Sequence, residues 1–182
     1  MAHQAQQEYC NKIKAVFPEY FTNVNVCDIG SLDINGNNHY LFDNYAYIGV
    51  DIGRGRNVNI VSKGHEFIPI DGSKFDTVIS TECFEHDMYW AKTIINVCEN
   101  LVKDNGLFIF TCATTGRPEH GTRATTSSDS PFTSTTEDWS DYYMNLTEED
   151  VRNVIDLDKY FKIYKFYVGT SSCDLYFWGI KK

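Results

Sequence analysis

The chain has 182 residues, 42% hydrophobic and 15% aromatic, enough for one continuous core and too apolar for a disordered segment. Its formal net charge of -9 is broken by no Lys/Arg run, which argues against nucleic acid as a partner because phosphates would be repelled. No apolar run is long enough to span a bilayer and no leader-like stretch opens the chain, so a soluble, cytoplasmic protein without membrane contact is expected.

The first predicted element is a helix within 1–23: Tyr9, Ile13, Val16 and Phe17 recur at helical spacing, and Pro18 stops the run. It packs either on the sheet edge or over the site. The first strand, Val24 to Ile29, is apolar on both faces, as a strand buried in a parallel sheet must be. It ends at Asp28, and Gly30 and Gly36 free the backbone for an open turn. In open α/β sheets, ligands bind beyond the carboxyl ends of strands, so this turn is a candidate binding loop. The spacing is not Gly-x-Gly-x-x-Gly, since Ser31-Leu32-Asp33 stands in the middle.

The polar stretch 35–44 has room for one helical turn at His39 to Phe42. The second strand, Tyr45 to Ile52, also closes on an acid, Asp51. A carboxylate at that distance from the first turn suits the two hydroxyls of a ribose, although capping of the next turn would look similar. A third strand at Val58 to Val61 follows too closely for a crossover helix, and is either a short edge or a trimmed element. Strand four spans Phe75 to Ser80. Met88 to Leu101 presents a helix face at Trp90, Ile94, Val97, Cys98 and Leu101, which Asp104-Asn105-Gly106 ends, and Leu107 to Cys112 is strand five. Residues 113–146 form a long Thr/Ser/Gly-rich loop, a length that is usually functional or disordered. Thr147 caps a short helix with acids in its first turn, and Tyr160 to Val168 and Leu175 to Ile180 form a closing hairpin.

Six scattered cysteines without a Cys-x-x-Cys pair suit a reducing compartment and no cysteine zinc site. His65-Glu66, His86-Asp87 and Glu119-His120 stand at successive strand ends, but no short ligand spacing links them, and the sequence assigns no metal.

The series VCDIGS, YIGVDI, FDTVISTECFEH and LVKDNGLFIFTCA resembles the class I S-adenosylmethionine-dependent methyltransferases, and the segment CATTGRPEHGT resembles a small uncharacterised branch of them. The resemblance covers about 25–113 and implies a single α/β domain over 1–182. It would be a Rossmann-like seven-stranded mixed sheet, order 3-2-1-4-5-7-6, strand seven antiparallel, with helices on both faces and some of them shortened. It also implies S-adenosylmethionine as cofactor. Asp28, Gly30 and Ser31 would line its methionine end, with Gly36 in the same loop. Asp51 would hold the ribose, Ile52 press on the adenine, and Gly64 and His65 stand at the adenine edge, while Thr81 and Glu82 close the pocket under the sulfonium.

The implied function is methyl transfer to a small-molecule or sugar acceptor at oxygen, with the 113–146 loop covering the substrate. His86, Glu119 and His120 are then candidates for proton transfer, and Arg117, Tyr142 and Tyr143 for holding the acceptor. The plainer readings are a packed helix-end residue for His86, a solvated loop for Glu119-His120 and core anchors for the two tyrosines. A nicotinamide oxidoreductase would carry the missing glycine fingerprint, and a nucleobase amino-methyltransferase would carry Pro-Pro-aromatic where Thr81-Glu82-Cys83-Phe84 stands. A non-catalytic S-adenosylmethionine-binding or protein-interaction module remains the alternative.

Overall fold

A computed structural model describes residues 3–182. Strands β1 (Asn25–Ile29), β2 (Ala46–Asp51), β3 (Ile60–Val61), β4 (Phe75–Thr81), β5 (Val102–Ala113), β6 (Phe161–Gly169) and β7 (Asp174–Lys181) form one sheet in the order β3-β2-β1-β4-β5-β7-β6. The first five run parallel, and β7 is antiparallel to both β5 and β6. Helices α1 (Gln4–Val16), α2 (Trp90–Asn96), α3 (Glu148–Val154) and α4 (Leu157–Tyr160) cover it. Among the described residues, no helix is long and apolar enough to cross a membrane.

Strand alternation sorts the side chains into two cores. Val26, Leu107 and Ile109 face Cys10 and Ile13 of α1, whereas Cys27, Phe108 and Phe110 face α2 and the helices after the long loop. The helix α1 therefore lies flat on one face of the sheet, not along its edge. In the second core Phe110 stacks on Phe177 with centroids 4.9 Å apart, and burying each such ring contributes roughly 2–3 kcal/mol. The predicted cap of α3 is present as a reciprocal box: Thr147 Oγ1 accepts from Asp150 N at 3.2 Å and Asp150 Oδ2 accepts from Thr147 N at 2.8 Å.

Two boundaries depart from the pattern, each for a local reason. The strand β3 is a two-residue edge, because the loop after β2 doubles straight back across it. A Cβ on Gly49 would lie 2.1 Å from the Asn57 carbonyl oxygen, so only glycine lets the loop backbone cross that closely. The Asp104-Asn105-Gly106 turn does not end the helix. A π turn over Val97–Leu101 does so, and the strand begins at Val102, which pairs with Phe75 while Leu107 pairs with Thr77. The intervening residues bulge, with Asn105 at φ 62°.

His3, at the start of α1, ties this helix to the ends of two strands. Its Nε2 stands 3.2 Å from Asp174 and 3.4 Å from Glu82, and these two buried carboxylates raise its pKa from 6.5 to about 9. A raised cation pKa stabilises fully below the unfolded value and is lost as pH climbs through the folded one. His3→Ala is therefore expected to cost roughly 2 kcal/mol in urea unfolding near pH 6, with the difference from wild type shrinking as pH passes about 9. A pH-independent difference would remove the ion pair from the account.

Candidate active site

A cleft opens at the carboxyl ends of β1, β2 and β4, where the strand order reverses. That is the position at which doubly wound sheets take ligands.

The turn after β1 forms its floor. Gly30 (φ 77°) and Ser31 donate their backbone N–H groups to the Val50 carbonyl at 2.9 and 3.1 Å. A Cβ on Gly30 would meet Cys83 Sγ at 2.4 Å, so both the turn and the close approach require glycine. Asp28 lines the cleft at 1% exposure. Its Oδ2 accepts from Tyr47 at 2.6 Å and Asn38 at 2.9 Å, while Oδ1 has no partner among the described residues. Burial outweighs those bonds and raises its carboxyl to about 7. Gly36 lines the same loop, its N–H donating to Asp33 at 2.9 Å.

Asp51 joins the two turns: it accepts from Leu32 N at 3.0 Å and from Ile52 N at 2.8 Å, and burial raises its carboxyl. The capping role is real and leaves the other role open, because each oxygen keeps a second lone pair. Ile52, Gly64 and Thr81 also line the cleft. His65 does not: its ring lies 4.5 Å from that of Tyr89 and Nε2 stands 3.5 Å from Glu66. Glu82 lines the cleft in a left-handed conformation (φ 52°), with its carboxylate held by Thr111 at 2.8 Å and facing His3.

The long loop closes over this site from the other side. Ser130, Pro131, Phe132 and Trp139 form a wall of the cleft, a contribution that the sequence reading placed on the acceptor alone. The Phe132 ring lies on Gly53 and Gly55, where a Cβ would come within 2.7 and 3.2 Å of it. Those two glycines opposite an aromatic in an otherwise polar loop were the available signal.

The predicted catalytic residues divide. His86 lines the cleft at 4% exposure, with its ring 4.9 Å from His120 and 5.6 Å from Tyr143. Burial lowers its pKa to about 3, so it is a neutral imidazole and a weak base. Burial also lowers His120, whose Nδ1 contacts the Pro118 carbonyl at 3.1 Å. A carbonyl only accepts, so Nδ1 carries the proton and Nε2 the lone pair. Glu119 is not with them: it is exposed and accepts from Thr122 at 2.7 Å. The carboxyl beside the histidines is Glu85, which the sequence reading missed, although Glu82-x-x-Glu85-His86 at a strand end has one-turn spacing. Asp87 instead holds the turn that leads into α2, accepting from Tyr89 N at 2.8 Å and Thr93 Oγ1 at 2.5 Å.

The proposed acceptor-holding set changes as well. Arg117 is committed to the Ser172 carbonyl at 2.7 Å and Asp174 at 3.1 Å, which pins the loop to β7 and takes up its charge. Tyr142 packs against the α2-side core, its hydroxyl 3.6 Å from Met144 Sδ. Tyr143 alone of the three stands beside the histidines, with its ring 5.0 Å from His120.

The fold is that of the S-adenosylmethionine-dependent methyltransferases. No family model matches the sequence, and no curated protein sequence matches it. Among solved structures, the chain is similar to the plantazolicin methyltransferase BpumL in complex with S-adenosylhomocysteine: TM-score 0.63, 13% identity, covering 98% of this chain and 84% of that one. It is similar to 1,6-didemethyltoxoflavin-N1-methyltransferase of Burkholderia thailandensis, with bound 1,6-didemethyltoxoflavin and S-adenosylhomocysteine: TM-score 0.59, 11% identity, covering 100% and 92%. The N-methyltransferase NodS of Bradyrhizobium japonicum superposes with TM-score 0.57 at 12% identity over 96% and 95%.

Proposed function

We propose that the chain binds S-adenosylmethionine in this cleft and transfers its methyl group to a small-molecule or sugar acceptor, at oxygen. The observation that carries the reading is the pair of acidic strand ends: Asp28 with an orphaned Oδ1, and Asp51 fixed by two backbone donors, both facing one cleft at the switch point. Neighbours of the same fold hold S-adenosylhomocysteine, which supports the choice of cofactor.

S-adenosylmethionine supplies an already activated methyl group, so the protein's task is alignment and exclusion of water. Asp51 accepts from the ribose hydroxyls, and Ile52 and Phe132 enclose the base. Gly30 lets the backbone approach the methionine moiety, Ser31 Oγ and Asp28 Oδ1 offer it polar atoms, and Thr81 borders the sulfonium. Tyr143, His86 and His120 mark the acceptor side. The residues 113–146 cover both halves. The weak basicity of His86 favours one second reading, a non-catalytic module that binds the cofactor without transfer.

Calorimetric titration of S-adenosylmethionine and S-adenosylhomocysteine into the protein tests the first step, with micromolar affinity expected. Methyl-labelled cofactor offered with panels of hydroxylated metabolites and sugars tests the second. No binding by folded protein would overturn the reading, and binding without any transfer would favour the module.

A further inference from the structure

Glu85, His86 and His120 have no settled role in that scheme, yet they meet beside the cleft. One potential ligand atom from each lies within 4.8 Å of the other two. Glu85 is 0% exposed, and neither of its oxygens has a partner among the described residues. Neither ring nitrogen of His86 has one. Each unsatisfied buried polar group costs about 1–3 kcal/mol, and here four such atoms share one place.

The surroundings aim these groups at a common point. His120 gives its Nδ1 proton to the Pro118 carbonyl, which fixes the tautomer with Nε2 free, the outer arrangement that orients a ligating histidine. The loop reaches His86 only because residue 121 is glycine: at φ 71°, a Cβ there would fall 2.5 Å from His86 Cε1. A second cluster, His3 with Glu82 and Asp174, also has buried atoms without a hydrogen-bond partner, His3 Nε2 and Glu82 Oε2, but its groups pair with one another as ions and its carboxylates already accept from Thr111, Arg117 and Tyr176.

We propose that Glu85, His86 and His120 form a binding site for one divalent first-row transition metal ion of the zinc type. Two imidazoles and a carboxylate are the donor set of three-ligand zinc and related sites, whereas calcium and magnesium take oxygen. Bonds of about 2.0–2.2 Å put neighbouring ligand atoms roughly 3–3.5 Å apart, a closure that side-chain rotation and a loop-borne histidine can supply. Of the three, His86 borders the cleft, and the proposed ion would keep a fourth position for an outside ligand. An acceptor oxygen is the ligand that position would take. That last assignment rests on the methyl-transfer reading, and metal binding itself does not. No metal-ligand spacing is visible here along the chain, because the third ligand comes from 34 positions beyond His86 and only the fold brings it back.

The test is titration of EDTA-treated protein with Co²⁺, a coloured stand-in for zinc, without S-adenosylmethionine. One equivalent is expected to bind with visible d–d absorption and no sulfur-to-metal charge-transfer band. Glu85→Gln and His120→Ala should each weaken binding at least ~100-fold, more than loss of an outer-shell partner. Circular dichroism accompanies both variants, and His120, on a half-exposed loop, supplies the decisive one should Glu85→Gln misfold. No d–d bands in folded wild type, a sulfur charge-transfer band, or unchanged affinity in His120→Ala would each overturn the site. With cofactor absent from the titration, failure here leaves the cofactor reading untouched, and failure of cofactor binding leaves this site untouched.

Discussion

Asp51→Ala is expected to lower S-adenosylmethionine affinity at least ~100-fold, or about 2.7 kcal/mol. Hydrogen bonds to a charged acceptor contribute roughly 1.5–3 kcal/mol each, and a ribose offers two hydroxyls to one carboxylate. The substitution also strips Leu32 N and Ile52 N of their acceptor, so the β1 and β2 turns lose their common tether. Asp51→Asn, which keeps one acceptor oxygen, should lose about tenfold. Calorimetry on both variants, with thermal melts to confirm folding, reads the effect. Wild-type affinity in Asp51→Ala would leave Asp51 as a turn cap only.

The second large effect is on stability, and it has the opposite sign. Asp28→Asn should make the protein more stable at neutral and higher pH. Burial raises the Asp28 carboxyl from 3.8 to about 7, so the folded state binds more protons than the unfolded chain between those values. Stability therefore falls as pH rises through that window, and the deficit is complete above about 7. Three units of raised pKa correspond to an upper bound of about 4 kcal/mol, and we expect roughly 2 kcal/mol in urea unfolding near pH 8. No gain is expected at about pH 2.5, below both values, where both states hold the proton. The new amide oxygen can still accept from Tyr47 and Asn38, while the cleft-facing acceptor Oδ1 is lost. Weaker cofactor binding should accompany the added stability, the usual trade at a functional site. Reduced stability of Asp28→Asn at pH 8 would contradict this account.

The strands and their acidic ends were legible because alternation and terminal residues are local properties. Val26 and Cys27 point to opposite cores, as period two requires, and Asp28 and Asp51 end neighbouring strands. The cap at Thr147 was legible for the same reason. What escaped depends on contacts distant in sequence. Glu119 and Glu85 are equally plausible neighbours of a histidine on paper, but Thr122 draws one outward and the fold buries the other. Arg117 reads as a free anion binder until Asp174 is found beside it. His65 has the spacing of an adenine contact, but Tyr89 holds its ring outside the cleft. Phe132 showed no periodicity at all, because its partners are two glycines on a different loop.

Asp174 serves parts of the chain that have no direct business with one another. Its carboxylate takes the Arg117 guanidinium of the covering loop, the His3 ring at the start of α1 and the Tyr176 hydroxyl of its own strand. Detachment of the loop leaves that charge less compensated and tightens its hold on His3. Fraying of the helix tightens its hold on Arg117 in turn. The two segments thus compete for a single buried anion, and the release of either one strengthens the hold on the other.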